Sequence, residues 1–225
     1  MAIIVAAGRG SRMGRKTPKQ FLELAGEPVL VHTLRGVAAC PDIDGILIAL
    51  PPEEMSSFSS LFERAVPSVR IVAGGGERQE SVFNALQAID RLHTDIIVVH
   101  DGVRPLVTGA DFSRVIARAR ETGAAILACP VRDTVKEVEG DRIVRTLDRQ
   151  RLYLAQTPQA FRADILIEAH ERARREGIMA TDDAALVERC GHPVVVVEGS
   201  PYNIKITWPE DLLLAEALLR LRGGL

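Results

Sequence analysis

No stretch of this 225-residue chain approaches the ~20 consecutive apolar residues of a membrane-spanning helix, and the opening run Ala2 to Ala7 is too short for a signal-peptide core. A soluble, untargeted protein is expected. Cysteine is scarce: Cys40, Cys129 and Cys190 lie far apart, with no Cys-x-x-Cys pair and no suitably spaced histidine. That excludes a disulfide frame and a zinc site and points to the cytoplasm. An excess of one charge is also missing. Lys and Arg number 28 against 30 Asp and Glu, a formal net charge of -2, which argues against a chain built for nucleic acid or an anionic membrane. The basic residues therefore matter where they cluster, and small anions are the expected partners. Internal repeats, low-complexity segments and Pro/Gly/Ser-rich linkers are absent too, so residues 1–225 read as one domain.

What is present is a soluble globular composition, 47% hydrophobic and 26% charged, with short β-prone apolar runs separated by helical stretches. The runs are Ile3 to Ala7, Gly45 to Leu50, Val69 to Ala73, Asp95 to Val99, Ala124 to Ala128 and Pro193 to Val197. This alternation predicts an α/β fold with a mostly parallel sheet. Ile96 to Val99 and Val194 to Val197 are apolar on both faces, as central strands covered by helices should be. In such sheets ligands bind beyond the carboxyl ends of the strands.

One such end carries Ala6-Ala7-Gly8-Arg9-Gly10-Ser11-Arg12-Met13-Gly14, followed by Lys16-Thr17-Pro18-Lys19-Gln20. Small residues at Ala6, Ala7, Gly8 and Gly10 let backbone N–H groups approach a polyphosphate, and Arg9, Arg12, Arg15, Lys16 and Lys19 crowd the same loop. Spacing rules out two common phosphate loops. The dinucleotide pattern needs a third glycine where Met13 stands, and a Walker loop needs Gly-Lys-Ser/Thr where counting reaches Met13 or Arg15. An ordinary glycine turn with solvated charges is the competing explanation.

Further strand ends add candidates. Gly74-Gly75-Gly76 leads into a helix whose first turn is Glu77 to Ser81 and whose apolar positions are Val82, Ala85, Leu86 and Ile89. After the most apolar strand comes His100-Asp101-Gly102-Val103-Arg104. Asp101 suits a divalent cation such as Mg²⁺ beside a polyphosphate, or merely caps a turn. Arg104 binds an anion or, slightly preferred, pairs with Asp101; His100 reads as a packing residue. From Val131 to Arg151, eleven of twenty-one residues are charged, with a turn at Glu139-Gly140-Asp141, a composition that cannot bury its own core. A projecting hairpin is predicted, either solvated or docked on something else. Thr181-Asp182-Asp183 opens a helix with Thr181 in the capping position. Asn203 to Thr207 alternates like a strand, with Lys205 facing either phosphate or solvent, and the helix from Pro209 to Arg220 is expected to pack through its leucines.

The pattern Ala-Ala-Gly-x-Gly-x-Arg-Met followed by Pro18-Lys19-Gln20-Phe21 resembles the signature of nucleotidyltransferases that activate sugar or polyol phosphates. Within them the chain is similar to the 2-C-methyl-D-erythritol 4-phosphate cytidylyltransferase family, and the likeness extends through Arg132-Asp133-Thr134 and Asp148-Arg149. The resemblance implies a Rossmann-like nucleotidyltransferase domain with a β-arm, at about 131–155, that reaches across a homodimer. It implies CTP as co-substrate with Mg²⁺ or another divalent cation. Arg12 and Lys19 would act at the α-phosphate, and Arg149, Thr134 and Lys205 at the polyol phosphate. Ala6, Ala7, Gly8, Gly10, Gly75, Gly76, Ser81 and Asp101 would line the nucleotide site, Gly75, Gly76 and Ser81 near the base. Arg104 and Thr181 complete the candidate substrate contacts. A ribitol-phosphate cytidylyltransferase or another sugar-phosphate nucleotidyltransferase is the alternative activity, and a non-catalytic nucleotide-binding module, which should lack Lys19 or Lys205, is disfavoured because both lysines are present.

Overall fold

A computed structural model describes residues 1–8, 17–66 and 69–223. In chain order its strands are β1 (Ala2–Val5), β2 (Glu23–Leu24), β3 (Glu27–Pro28), β4 (Ile46–Leu50), β5 (Val69–Ala73), β6 (Ile96–Asp101), β7 (Ala124–Pro130), β8 (Lys136–Glu139), β9 (Arg142–Thr146), β10 (Tyr153–Arg162) and β11 (Val195–Glu198). The helices are α1 (Val29–Ala38), α2 (Met55–Ala65), α3 (Arg78–Gln87), α4 (Gly109–Thr122), α5 (Ala163–Glu176), α6 (Asp183–Arg189) and α7 (Pro209–Leu221).

Seven strands form one sheet in the order β11-β7-β10-β6-β1-β4-β5. Every pairing is parallel except those of β10, which runs antiparallel to both β6 and β7. The mostly parallel α/β sheet expected from the alternating runs is therefore the fold. The neighbouring strands β1 and β4 are apolar throughout because helices cover both faces. Successive residues of β1 show this: Ile4 packs with Leu34 of α1, Phe62 of α2 and Phe112 of α4, whereas Ile3 packs with Val82 of α3, Leu166 of α5 and Val187 of α6.

Two local expectations are corrected, and one strand appears that was not predicted. The polar, proline-containing segment Tyr153–Arg162 is a strand, with its ladder to β7 irregular between Ala155 and Gln159, around Pro158, which has no N–H to donate. The apolar run ending at Val197 is an edge strand, half-exposed rather than central, with Val196 at 48% exposure. Residues 203–207 join no sheet; only Ile206 N–H donates to Val103 O, at 2.9 Å. The helix α7 packs as expected, Leu212, Ala215 and Leu219 against Leu24, Val29, Val103 and Ile206 with Leu218 also buried, while Leu213, Leu214 and Leu221 are exposed.

The charged segment is a hairpin, β8 paired antiparallel with β9, and both strands are exposed along their whole length. Val138, Ile143 and Val144 are each more than half exposed.

Candidate active site

The parallel strands deliver their following loops to one edge of the sheet, and there a cavity of about 360 Å³ opens. Its walls are the end of β1 with Ala6, Ala7 and Gly8, the turn carrying Lys19 and Gln20, the loop Gly75 to Arg78 with Ser81, Asp101 at the end of β6, and Lys205 with Thr207. Thus Ala6, Ala7, Gly8, Lys19, Gly75, Gly76, Ser81, Asp101 and Lys205, singled out in five separate stretches of sequence, share one wall. Gly10 and Arg12 lie outside the described residues.

Local packing explains why each group stands where it does. Lys19–Phe21 is one 3-10 turn, tied to the first loop by the buried Gln20, whose Nε2 donates to Ala6 O at 2.7 Å. The ring of Phe21 stacks on Phe58 at 3.9 Å, fixing the other side of the turn. After β5, Gly74 N–H donates to Leu50 O at 2.7 Å, and a side chain at this position would overlap Ala7. The next two N–H groups are already engaged. Gly75 donates to Ser81 Oγ at 3.0 Å and Gly76 to Glu80 Oε2 at 2.8 Å. A base held by this loop would meet its carbonyls or displace those bonds.

Asp101 is the electrostatic centre. It is buried, and its carboxylate takes Arg78 Nε at 3.0 Å and Lys205 Nζ at 2.7 Å, with Arg104 Nε at 3.8 Å. Burial alone would raise its pKa, but the charges of Arg78, Lys205 and Arg104 outweigh that and hold it far below the ordinary carboxylate range. Behind Arg78 stands Asp183, whose Oδ2 is 2.7 Å from Arg78 Nη1 and whose Oδ1 is 2.9 Å from His170 Nε2. Burial pushes Asp183 up, yet Arg78 and His170 pull it down to about 2.

Other candidates stand apart from the cavity. Arg104 is buried beneath Asp101 and donates through Nη1 to Asn203 O at 2.7 Å, so it does not line the cavity; its guanidinium is committed to the protein. Thr181 is exposed, and the cap of α6 is one residue later, where Asp182 accepts from Ala185 N–H at 3.0 Å. Thr134 and Arg149 are exposed on the hairpin, away from the cavity of their own chain, with Arg149 Nη1 donating to Arg132 O at 2.5 Å.

The donor set bears on a metal. Among the described residues no three His, Cys, Asp or Glu side chains gather in one place, so the chain offers no metal cage of its own. Asp101 is a single carboxylate with both oxygens facing cationic side chains. This suits a cation that arrives on a polyphosphate, holding most of its ligands there.

Residues 1–221 match the family model for 2-C-methyl-D-erythritol 4-phosphate cytidylyltransferase. The chain belongs to that family. A relative so named in Pelotomaculum thermopropionicum is 50% identical over 99% of this chain and 95% of its own length, and another in Syntrophus aciditrophicus is 50% identical over 100% and 97%. The crystal structure of the 4-diphosphocytidyl-2C-methyl-D-erythritol synthase from Anaerococcus prevotii superposes with a TM-score of 0.87 at 34% identity, covering 97% of this chain and 95% of that one. Family membership makes the chain a CTP-dependent nucleotidyltransferase.

Four polar cavity residues were not among the candidates: Gln20, Glu77, Arg78 and Thr207. Position in the sequence held a signal for Arg78, which is the first residue of a helix entered from a glycine loop at a strand end. Its charge there has no local purpose, because a cation at a helix N-terminus opposes the helix dipole.

Proposed function

We infer that the chain transfers the cytidylyl group of CTP to 2-C-methyl-D-erythritol 4-phosphate, giving 4-diphosphocytidyl-2-C-methyl-D-erythritol and pyrophosphate, a step toward isoprenoid precursors. The observation that carries the site assignment is the convergence of Lys19, Lys205 and two small-residue loops on one cavity at the carboxyl ends of the strands.

The acceptor's phosphate is itself the nucleophile. With a second pKa of about 6 it is largely dianionic at neutral pH and needs no general base. One of its oxygens bonds to the α-phosphorus of CTP while the bond to the departing pyrophosphate breaks. The barrier is repulsion between anions, so the protein's work is alignment and charge stabilisation. Lys19, with Arg12 from the same loop, would meet the α-phosphate, and Lys205 the incoming phosphate. Asp101 is the carboxylate that would hold a divalent cation carried on the triphosphate. When bound, that cation supplies neutralisation of the triphosphate.

Thr134 and Arg149 complete the acceptor site if the exposed arm at about 131–155 crosses to a second copy of the chain. The apolar side chains left exposed on the hairpin support a homodimer with exchanged arms. Residues 1–225 then form one nucleotidyltransferase domain. No helix among the described residues is long and apolar enough to cross a membrane. Polyanionic substrates and three free cysteines accord with work in the cytoplasm.

Pyrophosphate release is the direct assay, run with each of the four nucleotides and with erythritol and ribitol phosphates. It is expected to need CTP, the methylerythritol phosphate and Mg²⁺ together. Equal turnover with ATP or UTP would remove the cytidylyl assignment, and turnover in excess EDTA would remove the metal.

A further inference from the structure

A chain of polar contacts joins five side chains from four elements, α5, α6, α3 and β6, and the loop that carries Lys205. His170 Nε2 lies 2.9 Å from Asp183 Oδ1, Asp183 Oδ2 2.7 Å from Arg78 Nη1, Arg78 Nε 3.0 Å from Asp101 Oδ1, and Asp101 Oδ2 2.7 Å from Lys205 Nζ. Its two ends differ. Asp183 and His170 are each 1% exposed and take no part in the cavity wall, whereas the Lys205 side chain is 37% exposed and lines it.

For Lys205 to meet an acceptor phosphate its ammonium must leave Asp101. Stripping the partner from a buried carboxylate is strongly unfavourable when nothing else compensates the charge. Here something does. Arg78 occupies the other carboxylate oxygen, and Arg104 stands 3.8 Å away. Arg78 cannot follow Lys205 into the cavity, because Asp183 grips its guanidinium from behind. The lysine, a point charge on a flexible stem, is built to move; the arginine, with a planar fork bridging two carboxylates, is built to stay.

We propose that Arg78 is a positioning residue for the acceptor phosphate: it holds and compensates Asp101 so that Lys205 can exchange from Asp101 to that phosphate, and Asp183 with His170 keeps Arg78 in place. This rests on the assignment of Lys205 to the acceptor phosphate made above. Two other roles compete for the same residue. Arg78 lines the cavity and could touch the nucleotide directly, or it could serve folding alone.

Steady-state kinetics separate the three, with CTP and the methylerythritol phosphate varied in turn and thermal melting recorded beside them. Arg78→Gln leaves Asp101 dependent on Lys205, so KM for the acceptor is expected to rise about 10-fold or more while KM for CTP stays within about 3-fold. Arg78→Lys, which restores a charge but cannot bridge both carboxylates, should recover only part of the loss. Because Arg78→Gln leaves two buried carboxylates short of a partner, a change that can prevent folding, Asp183→Asn is the second variant. It keeps the shape of the chain outside the cavity, loosens Arg78, and should change KM for the acceptor by about 3-fold or more without moving KM for CTP. A change in KM for CTP as large as that for the acceptor would overturn the proposal in favour of direct nucleotide contact. A lower melting temperature with both KM values unchanged in either variant would overturn it in favour of a folding role. Lys205→Ala is the control: if it leaves KM for the acceptor unchanged, the assignment of Lys205 itself has failed, whatever Arg78 does.

Discussion

Lys19 and Lys205 carry the same charge, but their surroundings assign them different work. The backbone of Lys19 is fixed on both sides, by Gln20 on Ala6 and by Phe21 on Phe58, so its ammonium is delivered by a rigid turn. A charge preorganised in this way acts where negative charge grows during reaction. Lys19→Ala is therefore expected to lower kcat by about 10² to 10³ with a smaller change in KM for CTP, measured by pyrophosphate release. Normal kcat with weakened CTP binding would make Lys19 a ground-state clamp instead. His100 sets a second expectation. It is fully buried, its Nδ1 2.9 Å from Thr157 Oγ1 and its ring edge-on to Phe112, and burial lowers its pKa from 6.5 to about 3. A group kept neutral in the fold but protonated when unfolded stabilises the protein above pH 6.5 and ceases to do so as pH falls toward 3. Asp183, lowered from 3.8 to about 2, adds a loss of the same sign over that lower range. Unfolding free energy from urea titrations should thus decline below pH 6.5, by up to about 1.4 kcal/mol per pH unit for each such proton, and more steeply below pH 4. In His100→Gln the decline between pH 6.5 and 4 should flatten, even if the variant is less stable throughout. Lys19 and Asp101 were legible in the sequence because each follows a recognisable motif or strand end, whereas Lys205 was reached through the family resemblance and an alternation that does not form a strand. Arg78 was not legible, since its partners lie 23 and 105 residues away and no local pattern announces a pairing at that distance.

At the scale of elements, apolar run length identified the strands and helices that the core defines, and failed where polar or edge positions decide. The strand β10 was missed because Gln156, Thr157, Pro158 and Gln159 are neither alternating nor apolar; the side chains of Gln156, Thr157 and Gln159 are buried by bonding to Ser200, His100 and Asp182 instead. The run ending at Val197 misled in the opposite sense. Four consecutive valines look central, yet β11 has only β7 beside it. The loops of the site are more tightly specified than their glycines suggest. A Cβ on Gly74 would press into Ala7 and stand 3.1 Å from Ser81 Oγ and 3.2 Å from Leu50 O. Neither backbone can easily retreat, because Gly74 is bonded to Leu50, and Ala6, next to Ala7, to Ala49. Gly74→Ala is expected to cost about 1–3 kcal/mol of stability and to raise KM for CTP by forcing the two loops apart. Calorimetry and initial rates check it: unchanged melting with unchanged KM would mean that the loops are free to move.

At the scale of the whole molecule, the chain on its own leaves its candidate groups in two places, the cavity with Lys19 and Lys205 and the hairpin with Thr134 and Arg149. An isolated two-stranded hairpin is marginal in water, and this one holds three apolar side chains largely exposed, which a second copy of the chain would cover in the proposed homodimer. If arms are exchanged, each active site joins the core of one subunit to the arm of its partner. Complementation reads this directly. A Lys19→Ala subunit has a dead core and a sound arm, and an Arg149→Ala subunit has a sound core and a dead arm, so each homodimer is nearly inactive. Mixed in equal amounts under conditions that let dimers exchange, they pair at random and about half the dimers are mixed. In a mixed dimer one site collects both lesions and the other neither, so about a quarter of all sites should regain parental turnover. Arms that serve their own subunit would give no recovery, since every site would then keep one lesion. Sedimentation at the assay concentration supplies the independent check, because a monomer that turns over substrate at full rate has no partner to receive an arm from.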